Sequence, residues 1–210
     1  MNSKTSRRLF YVIFLLGATW LNGAVAETLK EKVGKLRPLA LHYGANNIRI
    51  NARDVLIVKG AFVSETAWGG DGFSVLVDDG GKWQLVRPDD GLGNEVVIWS
   101  VPHTEEDSIT SISFLVPRGG NAIKSGENLY LLKTRRNYEE TPSEIVPAEF
   151  SFYILRRNED FGIYMFEKLE SLVSKIKYCN AEQAAFHELG IPLSDGAEKF
   201  TCVGQPLNNP

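Results

Sequence analysis

The chain has 210 residues, of which 43% are hydrophobic and 23% charged, with a net charge of −3 and two cysteines. That length suits one domain with a sizeable core, and the acidic balance gives no basic stripe to displace counterions from nucleic acid. The longest apolar run, "LFYVIFLLGATWL" from Leu9 to Leu21, has 13 residues, short of the roughly 20 that a membrane-spanning helix needs.

Lys4, Arg7 and Arg8 precede that run, and Ala24-Val25-Ala26 follows it. A positive start, an apolar middle and small residues before Glu27 describe a secretory leader. The expectation is a signal peptide over 1–26, removed on export to the periplasm. The mature chain, 27–210, then reads as a single β-sandwich-like domain with no membrane span. Residues 27–41 read as a short lead-in helix or strand, and Pro38 stops any helix running through them.

From Ile48 onward the pattern is strand and turn. "DVLIVKGAFV" (54–63) is β-branched and apolar. In "GFSVLVDDGGKWQLVRPDDG" (72–91), Phe73–Val77 and Trp83–Val86 flank Asp78-Asp79-Gly80-Gly81. Asp and Gly tolerate the positive φ of a tight reversal, so this is a hairpin. "EVVIWSV" (95–101), "SITSISFLV" (108–116), "ENLYLLKTRR" (127–136) and "AEFSFYILRR" (148–157) continue the series. In the last, Phe150, Phe152 and Ile154 share one face, with Ser151 and Tyr153 on the other. "GIYMFEKLESLVSKI" (162–176) reads as strand to Phe166 and equally as helix beyond it. Turn signals recur every eight to fifteen residues without βαβ alternation. The fold class is therefore all-β, mainly an antiparallel β-sandwich, with one short C-terminal α-helix.

That helix is predicted at 180–189. Asn180 is a good N-cap and Gln183 completes a capping box. Gly190 sits at the left-handed cap, Ile191 supplies an apolar contact, and Pro192 forbids continuation. Phe186 is expected to anchor the helix in the core, so that truncating it removes about 3–5 kcal/mol.

Cys179 and Cys202, in an exported chain, are most simply a disulfide, which stabilises by about 3 kcal/mol in the chain-entropy model. A nucleophilic Cys179 would need a histidine. His187 lies eight positions along the helix, roughly 12 Å away by helical rise, so His42 or His103 would have to come from elsewhere. "SKIK" (Ser174–Lys177), "KSG" (Lys124–Gly126) and "SDG" (Ser194–Gly196) resemble the three motifs of penicillin-recognising serine enzymes, but in the wrong order. His187-Glu188 has no second histidine to complete a zinc motif. The acidic turns at Asp71, Asp78–Asp79 and Asp89–Asp90 do not space their carboxylates like a calcium loop. Trp68, Trp83 and Trp99 suit a core or a groove. In "AWGGDG" (67–72), Trp68 and Asp71 beside flexible glycines are the candidate ligand or partner contacts.

Two stretches carry a family likeness. One is "PAEFSFYILRRNEDFGIYMFEKLESLVSKIKYCNAEQAAFHELGI", a strand with alternating aromatics, a Tyr-x-Phe-Glu strand, a Lys-Tyr-Cys-Asn entry and a helix ending in Glu-Leu-Gly-Ile. The other is "NNIRINARDVLIVKGAF" followed by "GFSVLV". With these, the chain resembles the CarG-type carbapenem intrinsic-resistance proteins. The resemblance implies a β-sandwich-like fold and an exported protein that protects against a carbapenem, a β-lactam antibiotic, without β-lactamase activity. It carries over no catalytic residue. Family members often have Asp/Asn-Gly-Asp where this chain has "NARD" (Asn51–Asp54), so no metal carries over either. The expected function is antibiotic resistance or immunity by binding, with no cofactor, rather than enzymatic hydrolysis. The alternative is a periplasmic adaptor or inhibitor, such as an immunity factor. The partners in view are thus a β-lactam ligand, a periplasmic or cell-wall protein, and a second copy of the chain as a homodimer.

Overall fold

The structure, a computed structural model, describes residues 27–63, 69–88, 98–99, 108–119, 128–193 and 203–206. The expected leader, Trp68, Cys202, His103, "KSG" and "SDG" lie outside these residues.

The lead-in is a helix followed by a strand. Helix α1 (Leu29–Gly34) begins at Thr28, whose side chain accepts the Glu31 N–H while the Glu31 carboxylate accepts the Thr28 N–H. That reciprocal pairing satisfies two otherwise orphaned donors. Strand β1 (Leu36–Pro38) follows. The β2 (Gly44–Ile50), β3 (Arg53–Val63), β4 (Gly69–Asp78) and β5 (Trp83–Leu85) strands form a meander in that order, and β7 (Ile98–Trp99) pairs with β4. A second sheet runs β1, β8 (Thr110–Pro117), β9 (Tyr130–Arg136), β10 (Val146–Asn158), β11 (Ile163–Tyr178) and β12 (Val203–Pro206). Strand β6 (Arg87–Pro88) joins β11 in parallel; the other pairings are antiparallel. Helix α2 (Ala181–Leu189) packs on β8, β9, β10 and β11.

The all-β sandwich is as expected, but it has a third layer. Val55, Ile57, Phe73, Val75 and Val77 of the smaller sheet meet Phe114, Val116, Leu131, Leu155 and Phe166 of the larger one. The outer face of the larger sheet has its own core, in which Leu115, Leu132, Phe150 and Phe152 pack under Leu29 and Val33 of α1 and Ala184, Ala185 and Leu189 of α2. This explains why β8 does not alternate cleanly: Phe114 and Val116 face the sandwich, Leu115 faces the helices, and all three are buried. A strand covered on both sides reads as a continuous apolar run.

The ambiguous stretch is strand throughout. The β10–β11 register shifts twice, between Pro147 and Glu149 and between Phe152 and Tyr153, with the extra residues on β11. Bulges reset the two-residue period, so Leu169, Leu172, Val173 and Ile176 fall at helix-like spacing inside a strand. Ser174 sits in one bulge. Its hydroxyl accepts the Ala148 N–H at 2.9 Å and donates to Ile176 O at 2.6 Å, filling the break in the ladder.

Asn180 and Gly190 cap helix α2 as predicted. Asn180 Oδ1 accepts from the Glu182 and Gln183 N–H groups, and Gly190 takes φ 71°. The anchor is different. Phe186 is 44% exposed, whereas Ala181, Ala184, Ala185 and Leu189 are buried. Three alanines bring the helix close to the sheet, and Leu189 fills the space at its end. Phe186, one step round from Ala185, faces outward.

The β2–β3 hairpin turns on Asn51 and Ala52, at φ 51° and φ 63°. This two-residue reversal favours Asn-Gly, because a Cβ is strained at positive φ. Ala52→Gly is expected to raise stability by about 0.5 kcal/mol, as relief of that strain outweighs the added chain freedom. Urea denaturation measures the shift.

Candidate functional site

The inward-facing positions of the smaller sheet form two stripes, Arg53-Val55-Ile57-Lys59 on β3 and Phe73-Val75-Val77 on β4. The β4 stripe continues to Asp71 before it and Asp79 after it. Alternation places every second residue on one face, so a charged residue stands at each end of an apolar row. The structure pairs them: Lys59 with Asp71 at one end of the sandwich, Arg53 with Asp79 at the other.

Asp71 was expected in a flexible loop. It lies instead within β4, 6% exposed, because Gly69, Gly70 and Gly72 extend the strand opposite Val63, Phe62 and Gly60. A Cβ at Gly69 would stand 3.1 Å from Phe62 O, so the glycine here serves close approach of two strands. The Asp71 carboxylate accepts from Lys59 Nζ at 2.9 Å and from Tyr43 Oη at 2.9 Å. The Lys59 ammonium also lies 4.5 Å from the Tyr43 ring centroid, within cation–π range. Tyr43 is set in place by buried Asn46, which accepts the His42 N–H and donates to His42 O, Gly44 O and Ile57 O. The hydrogen bond to Asp71 pushes the Tyr43 phenol up. This end is an internally satisfied polar plug. Of the other aromatics singled out, Trp83 is 49% exposed on β5, and Trp99 stands opposite Gly72 in the β4–β7 pairing.

Among the described residues the opposite end is open. Three connections converge there: the β2–β3 turn, the Asp78–Asp79 turn after β4, and the β10–β11 hairpin. They surround a cleft of about 280 Å³. Val55, Val77 and Leu155 form its apolar floor, and Arg53, Arg157 and Tyr164 bring polar groups to it. Asp79 Oδ1 accepts from Arg53 Nη1 at 2.5 Å, and its Oδ2 lies 3.5 Å from Arg157 Nη2. Arg157 also donates to Glu159 at 3.1 Å. The Arg53 guanidinium carbon is 5.4 Å from the Tyr164 ring centroid. Tyr164 is only 6% exposed, and among the described residues its hydroxyl makes no well-formed hydrogen bond, although the Asp79 carboxylate is close enough to act on it. Burial pushes this phenol up, so it stays protonated and able to donate. Buried hydroxyls are normally satisfied, and one without a well-formed hydrogen bond calls for an explanation.

This cleft was not foreseen. Its signal was present in the alternation, where Arg53 and Asp79 interrupt apolar stripes at matching ends. Tyr164 was legible as one apolar position of a strand and as the first residue of the Tyr-x-Phe-Glu stretch, and neither reading marked it as a site residue.

The candidate nucleophiles are occupied otherwise. Ser174 is 3% exposed with its hydroxyl committed to the bulge. Cys179 is 8% exposed at the end of β11 and is not a free thiol. His187 is at the exposed side of α2, its ring 6.2 Å from that of Tyr178. Tyr178 itself is fully buried and donates to Glu188 at 2.9 Å, and burial raises its phenol far above the ordinary range. Among the described residues no group of three or more His, Cys, Asp or Glu is arranged to hold a metal, and no helix is long and apolar enough to cross a membrane.

No family model matches the sequence, and no curated protein matches it significantly. A solved structure does match: the crystal structure of CarG superimposes with a TM-score of 0.56 at 14% identity, covering 76% of this chain and 97% of CarG. The fold is CarG-like. Almost the whole of CarG is therefore matched within this chain. At this identity the likeness concerns architecture, and the cleft residues have to be judged on their own chemistry.

Proposed function

We propose that this chain is an exported protein that confers tolerance to a carbapenem by holding the antibiotic non-covalently, without hydrolysing it. One observation carries the proposal. The segment whose residues resemble the CarG-type resistance proteins, 147–191, forms β10, β11 and α2 of a chain whose fold is CarG-like. The resemblance in the sequence and the CarG-like architecture both support this reading.

The state of the nucleophiles supports binding over hydrolysis. Acylation by Ser174 would require its proton to leave toward a base, but that proton is held by Ile176 O within a closed ladder. The proposed pairing of Cys179 with Cys202 would tie the C-terminal segment beside the start of α2. The leader-like pattern of residues 1–26 supports export.

The direct test is expression of the full chain, leader included, in a carbapenem-sensitive host. The tolerated antibiotic concentration is expected to rise severalfold over an empty-vector control. No rise, with the protein present in the periplasm, would count decisively against the proposal.

A further inference from the structure

The cleft between the β2–β3 turn and the β10–β11 hairpin has the composition of a ligand site. An apolar floor of Val55, Val77 and Leu155 lies beneath a few convergent donors, the usual make-up of a small-molecule pocket. Its volume of about 280 Å³ suits a compact ring system. The donors outnumber the acceptors. Arg53 spends one N–H group on Asp79, and a guanidinium has five. Arg157 reaches Asp79 and Glu159 from the side. The Tyr164 hydroxyl, buried and without a well-formed hydrogen bond among the described residues, adds a neutral donor. These groups carry more N–H and O–H donors than Asp79 and Glu159 can take up, and a planar carboxylate is what a guanidinium fork matches best.

We propose that this cleft binds the carboxylate of a small cyclic organic acid, with Arg53 and Tyr164 donating to its oxygens and the floor receiving its ring. For the identity of the acid, the inference rests on the proposed function: a carbapenem is a compact bicyclic carboxylate. Asp79 acts as a positioning residue, holding Arg53 over Tyr164 so that the fork is preformed. The guanidinium's cation–π contact with the ring, 5.4 Å from its centroid, adds to that hold.

The test is isothermal titration of the purified chain and of Tyr164→Phe with three probes: a carbapenem, its methyl ester, and benzoate. Tyr164→Phe removes only the hydroxyl. Its unfolding temperature is expected to hold or rise, because an unsatisfied buried group is deleted, while carbapenem affinity falls about tenfold or more. A role in packing alone would not separate those two readouts. The methyl ester should bind far more weakly than the acid. Arg53→Gln, which keeps a donor but loses the charge, should weaken the acid and leave the ester little changed.

Equal carbapenem affinity in the parent and Tyr164→Phe would overturn the cleft assignment while leaving the resistance proposal standing. Benzoate binding that Tyr164→Phe abolishes, with no carbapenem binding, would uphold the carboxylate site and sink the resistance proposal. Binding of neither acid would overturn the site.

Discussion

Asp71→Asn is expected to lower stability by about 2 kcal/mol. The substitution keeps the shape of the side chain and an acceptor for the Tyr43 hydroxyl, which donates to Asp71 at 2.9 Å. What it removes is the charge facing Lys59, whose side chain is 20% exposed. Breaking a fully buried pair from one side costs about 3–5 kcal/mol, chiefly because the remaining charge is stranded. Partial access of Lys59 to water lowers that figure. Contact with the Tyr43 ring compensates only in part, since a cation–π contact contributes about 0.5–2 kcal/mol. The double variant Lys59→Met, Asp71→Leu should recover most of the loss, because no charge is then left in the plug. Urea unfolding of the two variants measures both. A single variant as stable as the parent would show that Asp71 and Lys59 do not depend on each other.

The second large effect concerns α2. Leu189→Ala is expected to destabilise by about 3 kcal/mol, the usual range for truncating a buried leucine. Leu189 is 5% exposed and packs with Phe150, Phe152 and Tyr178 against the larger sheet. Phe186→Ala should cost less than about 1 kcal/mol, since the ring is 44% exposed and an exposed substitution seldom exceeds this. The ranking is the test, because side-chain size alone gives the opposite order. Thermal unfolding that places Phe186→Ala below Leu189→Ala in stability would contradict the docking described for α2.

Much of the fold was legible because local rules and burial agreed. The Asp78–Gly81 reversal has Gly80 and Gly81 at φ 67° and φ 88°, with the Gly81 N–H donating to Asp78 Oδ1 at 2.7 Å. Asn180 and Gly190 delimit α2 as their chemistry requires. Three things were harder to see. Bulges in β11 break the strand period, so no single template fits 163–178. The Phe186 expectation took size for direction, although the stripe Ala181-Ala184-Ala185 already marked the inward face. Glycines around Asp71 looked like a loop, yet they extend a strand where backbones approach closely. The cleft was hidden for another reason. It joins Arg53, Asp79, Arg157 and Tyr164 from three connections, and only the pairing of two sheets brings them together. The plug and the cleft have the same sequence signature, a charge ending an apolar stripe. They differ in three dimensions by whether the polar groups satisfy one another.

Equilibrium dialysis of the purified chain against a carbapenem tests the central claim most directly, with ring absorbance read on both sides of the membrane. The expected result is accumulation of antibiotic on the protein side, near one molecule per chain at saturation, with its absorbance undiminished over time. Equal partition between the compartments, or a steady loss of ring absorbance in proportion to protein, would contradict protection by binding.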